Sequence, residues 1–226
     1  MNADFAYLTQ NPRLFRAVLD FNRFYEAPDF GLAQAGSPAA RLAAELAARP
    51  RLWRGFGLER EPPELWCFEP VENRLALLPF PAIERLAAYW SAVVLADTFA
   101  RTLDGQRLRH AKEVVGQDVF HYALRQGRLQ LGRLRHAWIP PSAELLSDQI
   151  LRYPGQKLLR LCLGLWPDDL RAAWLTRWRA DAQAAKILPV AQDRAEENRA
   201  LWEESWPGVE KLLFTEVAPA WQPCFS

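Results

Sequence analysis

An all-α fold is what this sequence predicts, on three observations. Its 17 prolines and 11 glycines fall repeatedly where helices should start or stop. Between them, apolar residues return every three or four positions, the spacing that puts side chains on one helix face. One segment, Ala82 to Leu103, carries Ile83, Leu86, Trp90, Val93 or Val94, and Phe99 on more than one face, so a helix there must be central. The expectation is a compact single helical domain over residues 1–226, with residues 1–50 as the part able to form an N-terminal helical lobe.

The elements follow in order. Asn11 and Pro12 form an N-cap and first-position pair, and Leu14, Phe15, Val18 and Leu19 continue a first helix to about Tyr25. Ser37 and Pro38 repeat that signal for a shorter helix ending at Arg49 and Pro50. From Trp53 to Pro81 the prolines and glycines forbid a long element, and Trp66, Phe68 and Val71 suggest one short strand pair or an extended loop near residues 64–78. Pro81 opens the central helix and Gly105 is expected to stop it. Short helices should run from Gln106 to Val115, closed by Gly116, and from Gln117 to Gln126, closed by Gly127. Ser142 should start a helix to about Arg152, and Pro154-Gly155 should separate it from the leucine run Leu158 to Leu165. Pro167, Asp168 and Asp169 announce a helix to about Ile187, with acidic residues at the positive end of its dipole. A charged helix from Gln192 to Trp206 and a last segment from Pro207 to Val217 complete the chain.

Composition narrows the function classes. The hydrophobic fraction of 50% is ample for a core, and 28 Lys+Arg against 27 Asp+Glu leave a net charge of +1, without the global attraction of a nucleic-acid binder. Cys67, Cys162 and Cys224 are odd in number and far apart, so neither a disulfide framework nor a zinc knuckle is expected, and a reducing compartment fits. The first residues show no basic stretch followed by an apolar one, which leads to a cytoplasmic expectation. The apolar stretch from Leu86 to Ala96, bounded by Arg85 and Asp97, is shorter than the ~20 residues a bilayer span needs.

Charge is unevenly distributed. Arg101, Arg107, Arg109, Lys112, Arg125, Arg128, Arg133 and Arg135 face only Asp104, Glu113 and Asp118 in their stretch. The sign reverses from Gln192 to Glu216, where Asp193, Glu196, Glu197, Glu203, Glu204, Glu210 and Glu216 outnumber Arg194, Arg199 and Lys211. Two oppositely charged segments either face each other or each meet a partner.

The search for chemistry finds no HExxH, nucleophile elbow, phosphate loop or dinucleotide fingerprint. His110, His121 and His136 have no cysteine or carboxylate at metal-ligand spacing, so no metal is expected. Cys162 sits in a leucine run as a small hydrophobe, and Asp168-Asp169 is accounted for as a helix start. An α-helical enzyme assembled from Asp97, His121 and Asp169 is one alternative reading. The short helices on either side of Gly116 as a helix-turn-helix DNA-binding regulator are another.

A family resemblance lies in the middle of the chain, in Leu77-Leu78-Pro79, the hydrophobic helix through Leu86, the break at Leu103-Asp104-Gly105, the short helix closing at Val114-Val115-Gly116, and Tyr122-Ala123-Leu124. These elements resemble the SctK family (YscK, PscK and relatives), the adaptor subunit of the cytoplasmic sorting platform in bacterial type III secretion systems. The resemblance implies a non-enzymatic helical adaptor that needs no cofactor and links the cytoplasmic domain of the inner-membrane ring protein SctD to the pod protein SctQ. Such a protein would reach the cytoplasmic face of the inner membrane through its partners, with no direct insertion and no nucleic acid. On this reading Arg107, Arg109, Arg125, Arg128, Arg133 and Arg135 form one partner-binding surface, and Trp202 and Trp206 in the acidic C-terminal region belong to another.

Overall fold

The computed structural model describes residues 6–25, 67–180 and 195–225, and every regular element among them is helical. In chain order these are α1 (Ala6–Gln10), α2 (Pro12–Tyr25), α3 (Val71–Arg74), α4 (Phe80–Val94), α5 (Ala96–Arg101), α6 (Gly105–Val115), α7 (Gln117–Arg125), α8 (Asp148–Leu165), α9 (Asp168–Ala180) and α10 (Ala195–Leu212), with short 3₁₀ turns between several of them. The all-α expectation holds. The helix expected from Ser37 to Arg49, together with Trp66 and the start of the acidic helix at Gln192, lies outside the described residues.

Where the sequence suggests one domain, the described residues divide into two compact units. The first contains 6–25, 67–77, 166–180 and 223–225, and the second contains 78–165 and 195–222. Of residues 1–50, the described helices α1 and α2 belong to the first unit.

In the first unit, Asn11 caps α2 by accepting the Leu14 N–H at 3.0 Å, as its pairing with Pro12 predicts. Leu14, Val18 and Phe21 on one face of α2 are buried with Phe68, and Phe21 meets Phe68 edge to face at 5.7 Å. Trp166 and Trp174 make a second edge-to-face pair at 5.4 Å, and Trp166 donates its ring N–H to the Glu72 carbonyl at 2.8 Å, so the indole is buried without losing its hydrogen bond. Residues 64–78 differ from expectation. Cys67 to Pro70 are irregular, but Val71–Arg74 is helical and Leu75–Leu77 is a 3₁₀ turn. The apolar run Leu75, Ala76, Leu77 is buried on every side, which a tight helical turn achieves as well as a strand.

The second unit is built on α4. Ile83, Leu86, Trp90, Val93 and Val94 are all buried, as a helix apolar on more than one face requires. The helix ends differently from expectation: it bends at Leu95 (φ −87°, ψ 3°), continues as α5, and stops where Thr102 turns extended. Gly105 is the first residue of α6 rather than a stop signal. Asp104 takes over the boundary, its carboxylate accepting the N–H groups of Gln106 and Arg107 at 2.8 and 3.2 Å. Gly116 does close α6. Its φ of +96° and ψ of 145° lie in a region open essentially to glycine alone, and this single residue turns the chain into α7.

Two expected breaks are absent. Pro154-Gly155 lies inside the continuous helix α8, and Pro207 inside α10. A proline removes one ladder bond, but packing on both sides of it keeps each helix running. On α8, Leu151, Leu158, Leu161 and Cys162 are buried. Gly155 brings the α8 backbone onto that of α4: a Cβ there would stand 2.2 Å from the Ala87 carbonyl oxygen, and the Gly155 N–H donates to Ser91 Oγ at 2.8 Å. On α10, Trp202 and Ser205 precede Pro207 in the core and Val209 and Leu212 follow it, with Gly208 set against the Trp90 ring. The helix expected from Ser142 begins instead at Asp148, after a 3₁₀ turn over Ala143–Leu145. Ser142 and Leu146 flank that turn in the left-handed region (φ 57° and 48°), and the strain at Leu146 is offset by burial of its side chain.

Candidate partner-binding surface

The basic segment folds into α5, α6, α7 and the turns after α7, all in the second unit. Gly116 alone links α6 to α7, and the two helices touch. Arg85 of α4 meets Asp118 in the first turn of α7 at 2.7 Å, and Gly127, just beyond α7, packs on Val93 and Ala96. Helix α7 therefore runs alongside α4 in the same direction. Close packing on the Val93 backbone, rather than a left-handed conformation, explains the glycine at 127.

The arginines expected to form one surface divide by environment. Arg109 and Arg125 are exposed. Arg107 is also exposed but engaged, with Nε 3.2 Å from Asp104 and a further bond donated to the Glu144 carbonyl at 3.1 Å. Arg128 is exposed and donates to Asp97 Oδ1 at 2.9 Å. Arg135 is only 6% exposed: its guanidinium bonds to Asp97 Oδ2 and to the carbonyls of Gly127 and Arg128, both at 3.0 Å, while Nε has no acceptor. Arg133 lies in the 3₁₀ turn Gly132–Ala137, and its side chain lies outside the described residues. Arg107, Arg109, Arg125 and Arg128 thus belong to the accessible basic surface, whereas Arg135 straps the chain after α7 onto α5.

Asp97 is the hub of that strap. Hydrogen bonding to Arg128, reinforced by the charge and hydrogen bond of Arg135, holds its carboxyl below the ordinary carboxylate value despite partial burial. Asp104 is held low by the two backbone N–H groups it caps. The other residues weighed for chemistry lie in separate settings. His121 is exposed with its ring 6.2 Å from that of Phe120, and Asp169 opens α9 in the first unit. His110 Nε2 lies 2.7 Å from Asp148 Oδ1, and His136 is exposed. Among the described residues no three His, Cys, Asp or Glu side chains gather as metal ligands would, and the three cysteines are free thiols.

The aromatic anchors also divide. Trp202 is 3% exposed and belongs to the core, whereas Trp206 is half-buried and stacks against it with ring centres 5.4 Å apart. Glu203, Glu204 and Glu210 are exposed on the same helix, so α10 presents an acidic face beside a partly accessible indole. A further cation–aromatic contact was not legible in the sequence. Lys157 of α8 places its ammonium 5.3 Å from the centre of the Trp138 ring and donates to the Ala137 carbonyl at 2.7 Å. Burial pulls the pKa of this lysine down.

The geometry defines an all-α protein with exposed arginines on α6, on α7 and in the turn after α7, and exposed glutamates on α10. No protein-family model, curated protein or solved structure matches the chain. Among the described residues no helix is long and apolar enough to cross a membrane.

Proposed function

We propose that this protein is a non-enzymatic adaptor of the SctK type, which links the cytoplasmic domain of SctD to the pod protein SctQ at the cytoplasmic face of the inner membrane. The reading rests on the resemblance in the middle of the sequence. The observation that carries it further is the accessible basic set of Arg107, Arg109 and Arg125 on α6 and α7 and Arg128 in the turn after α7, with the Trp206-bearing helix α10 and its exposed glutamates in the same unit. Two exposed sets of opposite sign suit a subunit that meets two partners: charge sets encounter and specificity, and a few desolvated anchors supply most of the affinity.

Affinity purification of the tagged full chain from a type III secretion host tests the reading. SctD and SctQ are expected to co-purify, and the triple variant R107Q/R109Q/R125Q is expected to lose one of them while keeping the other. Recovery of neither protein would overturn the proposal. Duplex DNA binding at low salt would replace it with the regulator reading.

A further inference from the structure

We infer that the first unit holds a binding site for a small phosphate monoester, in the cavity between the start of α2 and the buried Arg74. This goes beyond the adaptor reading, whose candidate surfaces lie in the second unit. The cavity measures about 670 Å³, and its lining includes Tyr7, Gln10, Asn11, Arg13, Arg74 and Pro223. That volume falls within the range of sites for small organic molecules. Asn11 fixes two of the walls to each other: its side-chain amide donates to the Pro223 carbonyl, while its side-chain oxygen accepts the Leu14 N–H and caps α2.

Arginine supplies both charged side chains of the lining, and no carboxylate joins them. Arg74 is 8% exposed and gives its donors to the carbonyls of Phe68, Glu69 and Cys224, which solvate its charge without neutralising it. The Glu69 carboxylate acts on it only from an exposed position, outside ion-pair distance. Arg13 is exposed and makes no ion pair among the described residues. Burial raises the pKa of the Cys224 thiol, and the charges of Arg13 and Arg74 both draw it back, so both cations stand near the wall that Pro223 forms.

Charge selects the ligand. Two cations without a counter-ion favour a dianion, and a phosphate monoester carries close to two negative charges at neutral pH. The Arg13 guanidinium has donors to give to the phosphate oxygens, with Arg74 as a fixed charge behind it. Gln10, also exposed, brings an amide donor, and α2 begins at the cavity, so its dipole adds to the same sign. The Tyr7 ring and Pro223 offer apolar surface to the organic part of the ester, which inorganic phosphate would leave uncovered.

Titration of the full chain with phenyl phosphate tests this, followed by calorimetry and by backbone amide chemical shifts. Saturable binding is expected with a dissociation constant of about 1 mM or below, and the shifts should concentrate over residues 7–14. Phenyl sulfate, similar in shape but singly charged, should bind at least about fivefold more weakly, and inorganic phosphate should also bind more weakly than the ester. R13Q should cost about tenfold, whereas R152Q, at an exposed arginine on α8, should bind like the parent. Both side chains are exposed, so unchanged circular dichroism melts are expected and separate loss of binding from loss of fold. Absence of saturation, shifts that fall on the second unit instead, or equal affinity for phenyl sulfate or inorganic phosphate would each overturn the inference. So would an R13Q variant that binds like the parent, or an R152Q variant that loses as much as R13Q.

Discussion

Each unit buries one arginine among its described residues, and the two are held by different means. Arg74 in the first unit, 8% exposed, donates only to backbone carbonyls: Nε to Phe68 at 2.9 Å, Nη1 to Cys224 at 3.1 Å and Nη2 to Glu69 at 3.2 Å. Arg135 in the second unit shares Asp97 with Arg128 and bonds two more carbonyls. The first is a tie between chain segments 150 residues apart, in which the charge is solvated by dipoles. The second is an ion pair in which half the partnership stays near water. A buried charge is tolerated in either arrangement provided its donors are used, but the two should respond differently to mutation and to pH.

The largest effect is expected from Arg74→Met, which fills the space but strands three carbonyls, at least two of them in a sealed setting. Urea denaturation should show a loss of about 3–5 kcal/mol, and a loss below about 1 kcal/mol would mean that water replaces the guanidinium. Arg135→Met should cost less, about 2–3 kcal/mol, because Asp97 keeps Arg128. A melting temperature lower than that of R74M would reverse the ranking and make the ion pair the stronger tie.

Asp97→Asn should be milder still, about 1 kcal/mol near neutral pH, and it separates the two arrangements by pH. Because the carboxyl of Asp97 is held below its ordinary value, its charged form stabilises the folded state. That contribution is fully present above the ordinary carboxylate value near 3.8 and is lost as pH falls below it. Thermal melts between neutral pH and pH 3 should therefore fall less steeply for D97N than for the parent, while R74M should keep the parental slope. Asp104 shifts in the same direction and should leave a residual slope in D97N. Arg109→Gln, at an exposed side chain with no ion pair among the described residues, should leave stability within about 0.5 kcal/mol by chemical denaturation. A larger change would mean that the exposed basic set also supports the fold.

The two arginines also mark how far the sequence could be read. Features with local causes were legible: the cap at Asn11 and Pro12, the corner at Gly116, and the burial of α4, whose apolar residues allow no exposed face. Arg135 looked like one more member of a basic run, because the carboxylate that draws it inward lies 38 residues earlier in the chain. Arg74 stood in a stretch that promised only a strand or loop. Trp202 and Trp206, four residues apart on one helix, share a composition but not a depth, which depends on what α10 packs against. Pro154 and Pro207 were read by the local rule that proline interrupts a helix, and lost to packing on either side of them. In the candidate surface the four exposed arginines were identifiable by type and spacing. The exposure of Leu103 and Leu129 was not legible, since a leucine in a turn gives no sequence signal of how far it reaches into water.

The contact between Gly155 and Ala87 also bears on the order in which the second unit forms. The hydrogen bond from Gly155 to Ser91 spans 64 residues, whereas α6 and α7 meet across a single one. Closing the long span costs chain entropy that the short one does not, so the α6–α7 pair is expected to assemble early and the α4–α8 seam to close late. Because the seam accepts no side chain at position 155, it works as a final checkpoint. A methyl group there should mainly speed unfolding and leave the folding rate nearly unchanged, which stopped-flow measurements on Gly155→Ala would show.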